Sequence, residues 1–171
     1  EDLLVLTNIH SKKGRVWRDG QEITQADSVA SYLEKSYRAW INDSYWVVMP
    51  YKLKDSGVTL KYIGEGKTED GTAADIVSLT FEAVGVTPQN KYHVWIGKEE
   101  PLVLQWAFYP TADTAEARFT GPWTNWQRYG QIWLSDGRGQ RGHSEIGVFD
   151  KLPAAVYNNP EAVDYASLLN Q

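Results

Sequence analysis

Between Thr24 and Ile41 the chain carries neither Gly nor Pro, although its 171 residues include 14 Gly and 7 Pro. Both residues interrupt helices, so this is the stretch on which a long helix can be defended, and the rest of the fold must be built around it. Thr24, followed three residues later by Asp27, resembles a capping box with Asp in the place of Glu or Gln. Val29, Leu33, Tyr37, Trp40 and Ile41 fall on one side of a 3.6-residue period, with Glu34, Lys35 and Arg38 opposite. The spacing predicts a helix from Thr24 to about Asn42. Asn42-Asp43-Ser44 is the expected stop, because these side chains compete for backbone hydrogen bonds. Tyr45 to Met49 (YWVVM) is rich in β-branched residues and precedes Pro50, which favours extended backbone.

Most of the remaining chain alternates with a period of two. Leu3–Ile9 reads as a strand, turned by SKKG into a second short strand over Arg15–Asp19, with Asp19-Gly20 as a further turn. After the helix, Leu60 and Tyr62 alternate with polar neighbours. Glu65 to Asp75 makes a polar loop, and Val77, Leu79, Phe81 and Ala83 share one face of the next strand. Lys91–Ile96 and Leu102–Tyr109 form a hairpin across the turn GKEEP, and residues 110–122 read as a loop. Two further strands are expected over Trp126–Ser135 and Ser144–Phe149, then a helical turn from Glu161 to Leu169.

The expected class is therefore α+β, one domain over residues 1–171. A sheet with one apolar face needs a cover, and the stripe from Val29 to Ile41 supplies it. The helix is expected to lie in the concave side of a curved antiparallel sheet.

Composition removes several functions. The formal charge is −5, and binding through backbone phosphates needs clustered Lys and Arg, so no nucleic-acid partner is expected. With no Cys, thiolate metal sites, disulfides and Cys nucleophiles are excluded. No run of eighteen or more apolar residues is present to span a membrane. Glu1-Asp2 opens directly onto LLVL, without the basic segment or cleavage site of a signal peptide, so the chain is expected to be a processed or trimmed form.

Catalytic patterns are weak. Gly66-Lys67-Thr68 resembles the end of a phosphate-binding loop, but Lys61 stands where that motif needs Gly. His143-Ser144-Glu145 are strand neighbours pointing to opposite faces, which cannot form a relay. His10 and His93 show no metal-ligand spacing. The carboxylate pairs Glu99-Glu100 and Glu69-Asp70 sit at turns, where charge normally means solvation. The loop Arg138 to Arg141 offers a peripheral contact to anionic headgroups, against the plainer reading of a solvated hairpin loop. No catalytic residue, metal or cofactor is expected; a hydrolase assembled from His93 or His143 and loop carboxylates ranks last.

The aromatic content is the most informative signal, at 13% with 8 Trp and 10 Tyr. Tyr37, Trp40, Trp46, Met49, Phe81, Trp106 and Phe108 are the candidate lining of an apolar cavity between helix and sheet. The same residue types would equally make an ordinary core.

Four blocks carry a resemblance: GRVWRDGQEI (Gly14–Ile23), RAWINDSYWVVMPYKLKDSGVTLKYIGEG (Arg38–Gly66), LTFEAVGVTPQNKYHVWIGKE (Leu79–Glu99) and VFDKLPAAVY (Val148–Tyr157). Together they resemble an uncharacterised bacterial family of envelope proteins, similar in fold to the outer-membrane lipoprotein carrier and its receptor (LolA/LolB-like). The resemblance implies an incomplete β-barrel wrapped around helices, with an apolar cavity suited to acyl chains. It further implies a location in the periplasm or outer envelope of a Gram-negative bacterium, and more helix and strand sequence ahead of Glu1. The expected function is non-enzymatic binding of a lipid, a lipoprotein acyl chain or another apolar ligand. The alternative is an envelope scaffold or interaction module whose aromatics simply fill its core.

Overall fold

The computed structural model describes residues 2–161, 164, 167 and 168. They form an α+β arrangement of one long helix and three antiparallel sheets, with no closed barrel among the described residues. The chain divides into two compact units, Glu1–Ser44 with Glu145–Gln171, and Tyr45–Ser144.

In the first unit, β1 (Leu3–Asn8), β2 (Lys13–Arg18) and β3 (Gln21–Ile23) pair in that order. Asp19 and Gly20 both have positive φ, 49° and 78°, the geometry that lets a two-residue turn follow the strand twist. Helix α1 (Ala26–Val48) contributes its residues up to Ser44 to this unit. It lies so close to β2 that a Cβ on Gly14 would sit 2.8 Å from Leu33 Cδ2, and the paired strand β1 would bring the Leu6 carbonyl oxygen to 2.0 Å. Val16, next but one to Gly14 and on the same face, is fully buried. On the other face, Leu4 and Trp17 line a cleft of about 240 Å³ with Pro160 and Glu161. A short helix α2 (Ala155–Asn158) precedes that segment. The helical turn expected over Glu161–Leu169 falls largely outside the described residues. Residues 144–149, expected as a strand, are not one: Glu145 takes a left-handed conformation (φ 56°) that breaks the extended run.

The second unit starts with the last turn of α1. The helix does not stop at Asn42-Asp43-Ser44, and Tyr45–Val48 are helical rather than extended. Asn42 Nδ2 bonds sideways to Asp43 at 3.0 Å, and Ser44 Oγ donates back to the Ile41 carbonyl at 3.3 Å, so neither caps the helix. Unfavourable propensity costs only a few tenths of a kcal/mol per residue, whereas packing the Tyr45 and Trp46 rings against the core stabilises by roughly 2 kcal/mol each. Pro50 then ends the helix, and Met49–Lys52 tighten into a 3₁₀ turn.

Strands β4 (Val58–Lys67), β5 (Ala73–Phe81), β6 (Lys91–Gly97), β7 (Val103–Tyr109) and β8 (Phe119–Pro122) follow as a five-stranded meander in sequence order. The first hairpin is longer than its polar sequence implied, leaving residues 68–72 as the connection. Strand β8 lies in the expected loop 110–122. Its Gly and Pro are tolerated because it pairs on one side, Phe119 with Phe108 and Gly121 with Trp106. The expected strand Trp126–Ser135 is a hairpin, β9 (Thr124–Tyr129) and β10 (Ile132–Arg138), folded at Gly130 with φ 58°. Short β11 (Arg141–Gly142) completes this third sheet. The core of the unit is Met49, Leu79, Val94, Val103, Trp106 and Trp123.

Candidate functional site

Five of the sequence-derived candidates meet in that core. Met49 and Trp106 are 3% and 5% exposed, and Trp46, Phe81 and Phe108 pack against the same cluster. Trp46 meets Trp106 edge-on, with ring centroids 4.4 Å apart and planes at 85°. Tyr92 touches Phe81 and Phe108 at 5.8 and 5.5 Å. These side chains fill space against one another, in the offset and edge-to-face geometry that aromatic quadrupoles favour. Tyr37 and Trp40 belong to the first unit, where their rings stack with centroids 6.5 Å apart.

Beside the core lies an open groove of about 550 Å³, lined by Pro50, Tyr51 and Leu53 of the 3₁₀ region, Ile96 of β6, Glu100-Pro101-Leu102 of the β6–β7 turn, Val103, Trp126 and Trp133. Its floor is continuous with the core, because Leu53, Ile96 and Trp126 pack on the buried cluster that contains Val103. Two aromatics are fixed by polar bonds at their rims. The Tyr51 hydroxyl donates to the Trp133 carbonyl at 2.7 Å and accepts from the Trp133 N–H at 3.2 Å. Trp126 Nε1 donates to the Val103 carbonyl at 2.7 Å. Trp133 itself is 49% exposed and Tyr51 55%, large apolar areas left in water at the mouth of a groove. Glu100 is the one carboxylate in the lining. A surface of this kind suits a ligand that is mainly apolar.

Sequence reasoning missed Tyr51, Trp126 and Trp133 as a group for a specific reason. In one continuous strand, residues 126 and 133 point to opposite faces. Once Gly130 folds the segment, Trp126 pairs with Ser135 and Trp133 with Arg128, so period two brings both indoles to one face. The available signal was Gly130 in the middle of an otherwise extended run.

The remaining candidates are dispersed. Gly66 and Lys67 end β4, while Thr68 opens the hairpin loop and accepts the Thr72 N–H at 3.0 Å. Glu99 and Glu100 sit at the β6–β7 turn, and both are exposed. His93 Nδ1 is 2.9 Å from the Tyr109 hydroxyl, and burial together with the Lys91 charge holds its pKa below the ordinary value. The His143 backbone N–H donates to Asp136 O at 2.9 Å, and its Nε2 is buried without a partner. Neither imidazole is hydrogen-bonded to a carboxylate among the described residues. Nor do these contain a group of three His, Asp or Glu placed to hold a metal.

The basic loop Arg138–Arg141 does not present Arg138 to solvent. The residue is 9% exposed, and its guanidinium stacks 3.4 Å from the centroid of the Trp123 ring. Burial pushes its pKa down to about 10, opposed by the nearby charge of Asp136. No helix among the described residues is long and apolar enough to cross a membrane.

Comparison with family models, curated proteins and solved structures returns no match for this chain. The likeness to the lipoprotein-carrier fold therefore rests on the four sequence blocks alone.

Proposed function

We propose that the chain is a non-enzymatic cell-envelope protein that binds an apolar ligand, a lipid or a lipoprotein acyl chain, in the Tyr51–Trp126–Trp133 groove. The aromatics Trp46, Phe81, Trp106 and Phe108 pack on one another, whereas Tyr51, Trp126 and Trp133 border open space. The observation that carries the reading is the half-exposed indole of Trp133, whose backbone is tied to the Tyr51 hydroxyl, at the mouth of an apolar, 550 Å³ groove. Each methylene removed from water contributes about 0.8 kcal/mol. A ten-carbon chain thus gains roughly 8 kcal/mol before the cost of association is subtracted, which places affinity at micromolar or weaker. Placement in the Gram-negative periplasm or outer envelope, and a half-barrel wrapped around the helix, belong to the same proposal and are supported by the sequence blocks.

Native mass spectrometry after mild extraction, followed by titration with a fluorescent fatty acid, tests the reading. A co-purifying lipid, or saturable uptake that Trp133→Ala weakens, supports it. A ligand-free protein that ignores the probe overturns it.

A second reading is favoured by one observation. Strand β4 stands at the edge of its sheet and leaves Leu60, Tyr62 and Ile63 exposed, as an interaction module with a filled core would. Loss of partner capture on Tyr62→Lys, in a protein that takes up no apolar probe, would favour it.

A further inference from the structure

The β1–β2 turn and the helix beside it carry a feature unrelated to the groove. Residues 10–13 are His10, Ser11, Lys12 and Lys13, all exposed. Asn8 Oδ1 accepts the backbone N–H groups of His10 and Ser11 at 3.1 and 2.9 Å, and the Lys12 N–H bonds to the Asn8 carbonyl at 2.8 Å. This pinned turn places the Lys12 ammonium 4.5 Å from the centre of the Tyr37 ring. Tyr37 in turn stacks on Trp40 with planes 25° apart. The result is a continuous cation–phenol–indole row in which the last member is 46% exposed. Lys13 follows on the face of the hairpin opposite to Gly14 and Val16, and Arg38 follows Tyr37 on the helix.

The helix approaches the hairpin in steps that fix this arrangement. Leu33 meets Gly14, the hydroxyls of Ser36 and Thr7 are 3.4 Å apart, and Tyr37 meets Lys12 at the turn. Trp40 lies one helical turn beyond Tyr37. Neither Lys12 nor Lys13 has an ion-pair partner among the described residues, whereas Arg15 is committed to Glu22 at 2.6 Å. From Asn8 to Arg18 the sequence contains no carboxylate.

An indole and a phenol beside unpaired ammonium groups match the region of a bilayer where amphipathic rings sit at headgroup level and lysines meet anionic lipid. We propose that this hairpin tip docks the first unit on an anionic lipid surface, with Trp40 and Tyr37 entering the headgroup layer and Lys12 and Lys13 facing the lipid phosphates. The chain's formal charge of −5 repels such a surface elsewhere, so contact is confined to the tip and falls with ionic strength. The inference does not depend on the groove, whose probes are soluble.

The test is co-sedimentation of the full chain with phosphatidylcholine vesicles with and without phosphatidylglycerol, at low and high salt. Binding is expected with phosphatidylglycerol only, and high salt releases it. The double variant Lys12→Glu/Lys13→Glu should lower partitioning by at least about fivefold for each lysine, and Trp40→Ala should lower it several-fold. All three residues are exposed, and unchanged far-ultraviolet dichroism checks that the variants fold. Equal binding to neutral vesicles, or wild-type partitioning by the double variant, overturns the inference. So does retention on an acidic polymer without vesicle binding, which would assign the tip to an acidic macromolecule instead.

Discussion

Arg138 donates from Nη2 to the carbonyl oxygen of Trp46 at 2.6 Å, across 92 residues of sequence. In an unbroken helix that carbonyl would accept the N–H of residue 50, and Pro50 has none. The same guanidinium bonds Ser135 Oγ at 2.8 Å and Ser135 O at 3.1 Å through its two terminal nitrogens, while its face lies on Trp123. One buried side chain thus joins the helix end to the β9–β10 hairpin. Arg138→Ala should destabilise by roughly 2 to 4 kcal/mol, since it leaves buried acceptors unmet and a gap against Trp123. Arg138→Lys should recover little of that, because an ammonium reproduces neither the planar fork nor the stack. Urea midpoints decide this; a Lys variant as stable as wild type would show that charge alone matters.

Core and groove aromatics should separate in mutagenesis. Trp106→Ala should cost about 3 to 5 kcal/mol, as deletion of a buried indole does. Trp133→Ala should leave the melting temperature within a few degrees of wild type and weaken uptake of a fluorescent acyl probe. If both variants lose only stability, the groove has no ligand.

Helix approach to the hairpin depends on Gly14. Gly14→Ala pushes a Cβ against the Leu6 carbonyl oxygen and Leu33, and backbone oxygen cannot move aside as a flexible side chain would. Loss of about 1 to 3 kcal/mol is expected from overpacking, read as a lower melting temperature. Gly20→Ala, with nothing within 4 Å of the added carbon but a φ of +78°, isolates backbone strain from crowding and should cost about 1 kcal/mol.

Stability should fall on both sides of neutrality. Burial lifts the Tyr45 hydroxyl far above its ordinary value, with Tyr92 and Asp55 adding to the shift, and burial also raises Tyr92. Unfolded tyrosines ionise near pH 10, so this contribution is intact below about pH 10 and is lost as pH rises beyond it. His93 works in the opposite sense. Its depressed pKa gives a contribution present above about pH 6.5, the unfolded value, and lost as pH falls through the folded one. Denaturation midpoints across pH, with His93→Gln and Tyr45→Phe as controls, should show each limb flatten in its own variant; a limb that persists unchanged has another source.

Much of the architecture was legible because local chemistry and final structure agree. The stripe through Val29, Leu33 and Tyr37 is helical, Asp19-Gly20 turns the chain, and Val77, Leu79 and Phe81 share a face, since each pattern needs only its own neighbours. Asn42-Asp43-Ser44 misled because a weak propensity was overruled by the burial of Tyr45 and Trp46 on strands distant in the chain. Phe119–Pro122 looked like loop because its pairing with β7 is invisible without the partner.

Sequence by itself thus determined the helix, the α+β class and the aromatic surplus, all of which follow from short-range period and composition. Tertiary structure alone decided which aromatics became core and which line a groove. Trp46, Met49, Phe81, Trp106 and Phe108 pack together, whereas Trp133 faces solvent beside Trp126. The physical reason is that burial is a property of what lies opposite a residue. For Trp126 and Trp133 that depended on one left-handed glycine, Gly130, which reversed the strand and put both rings on the same face.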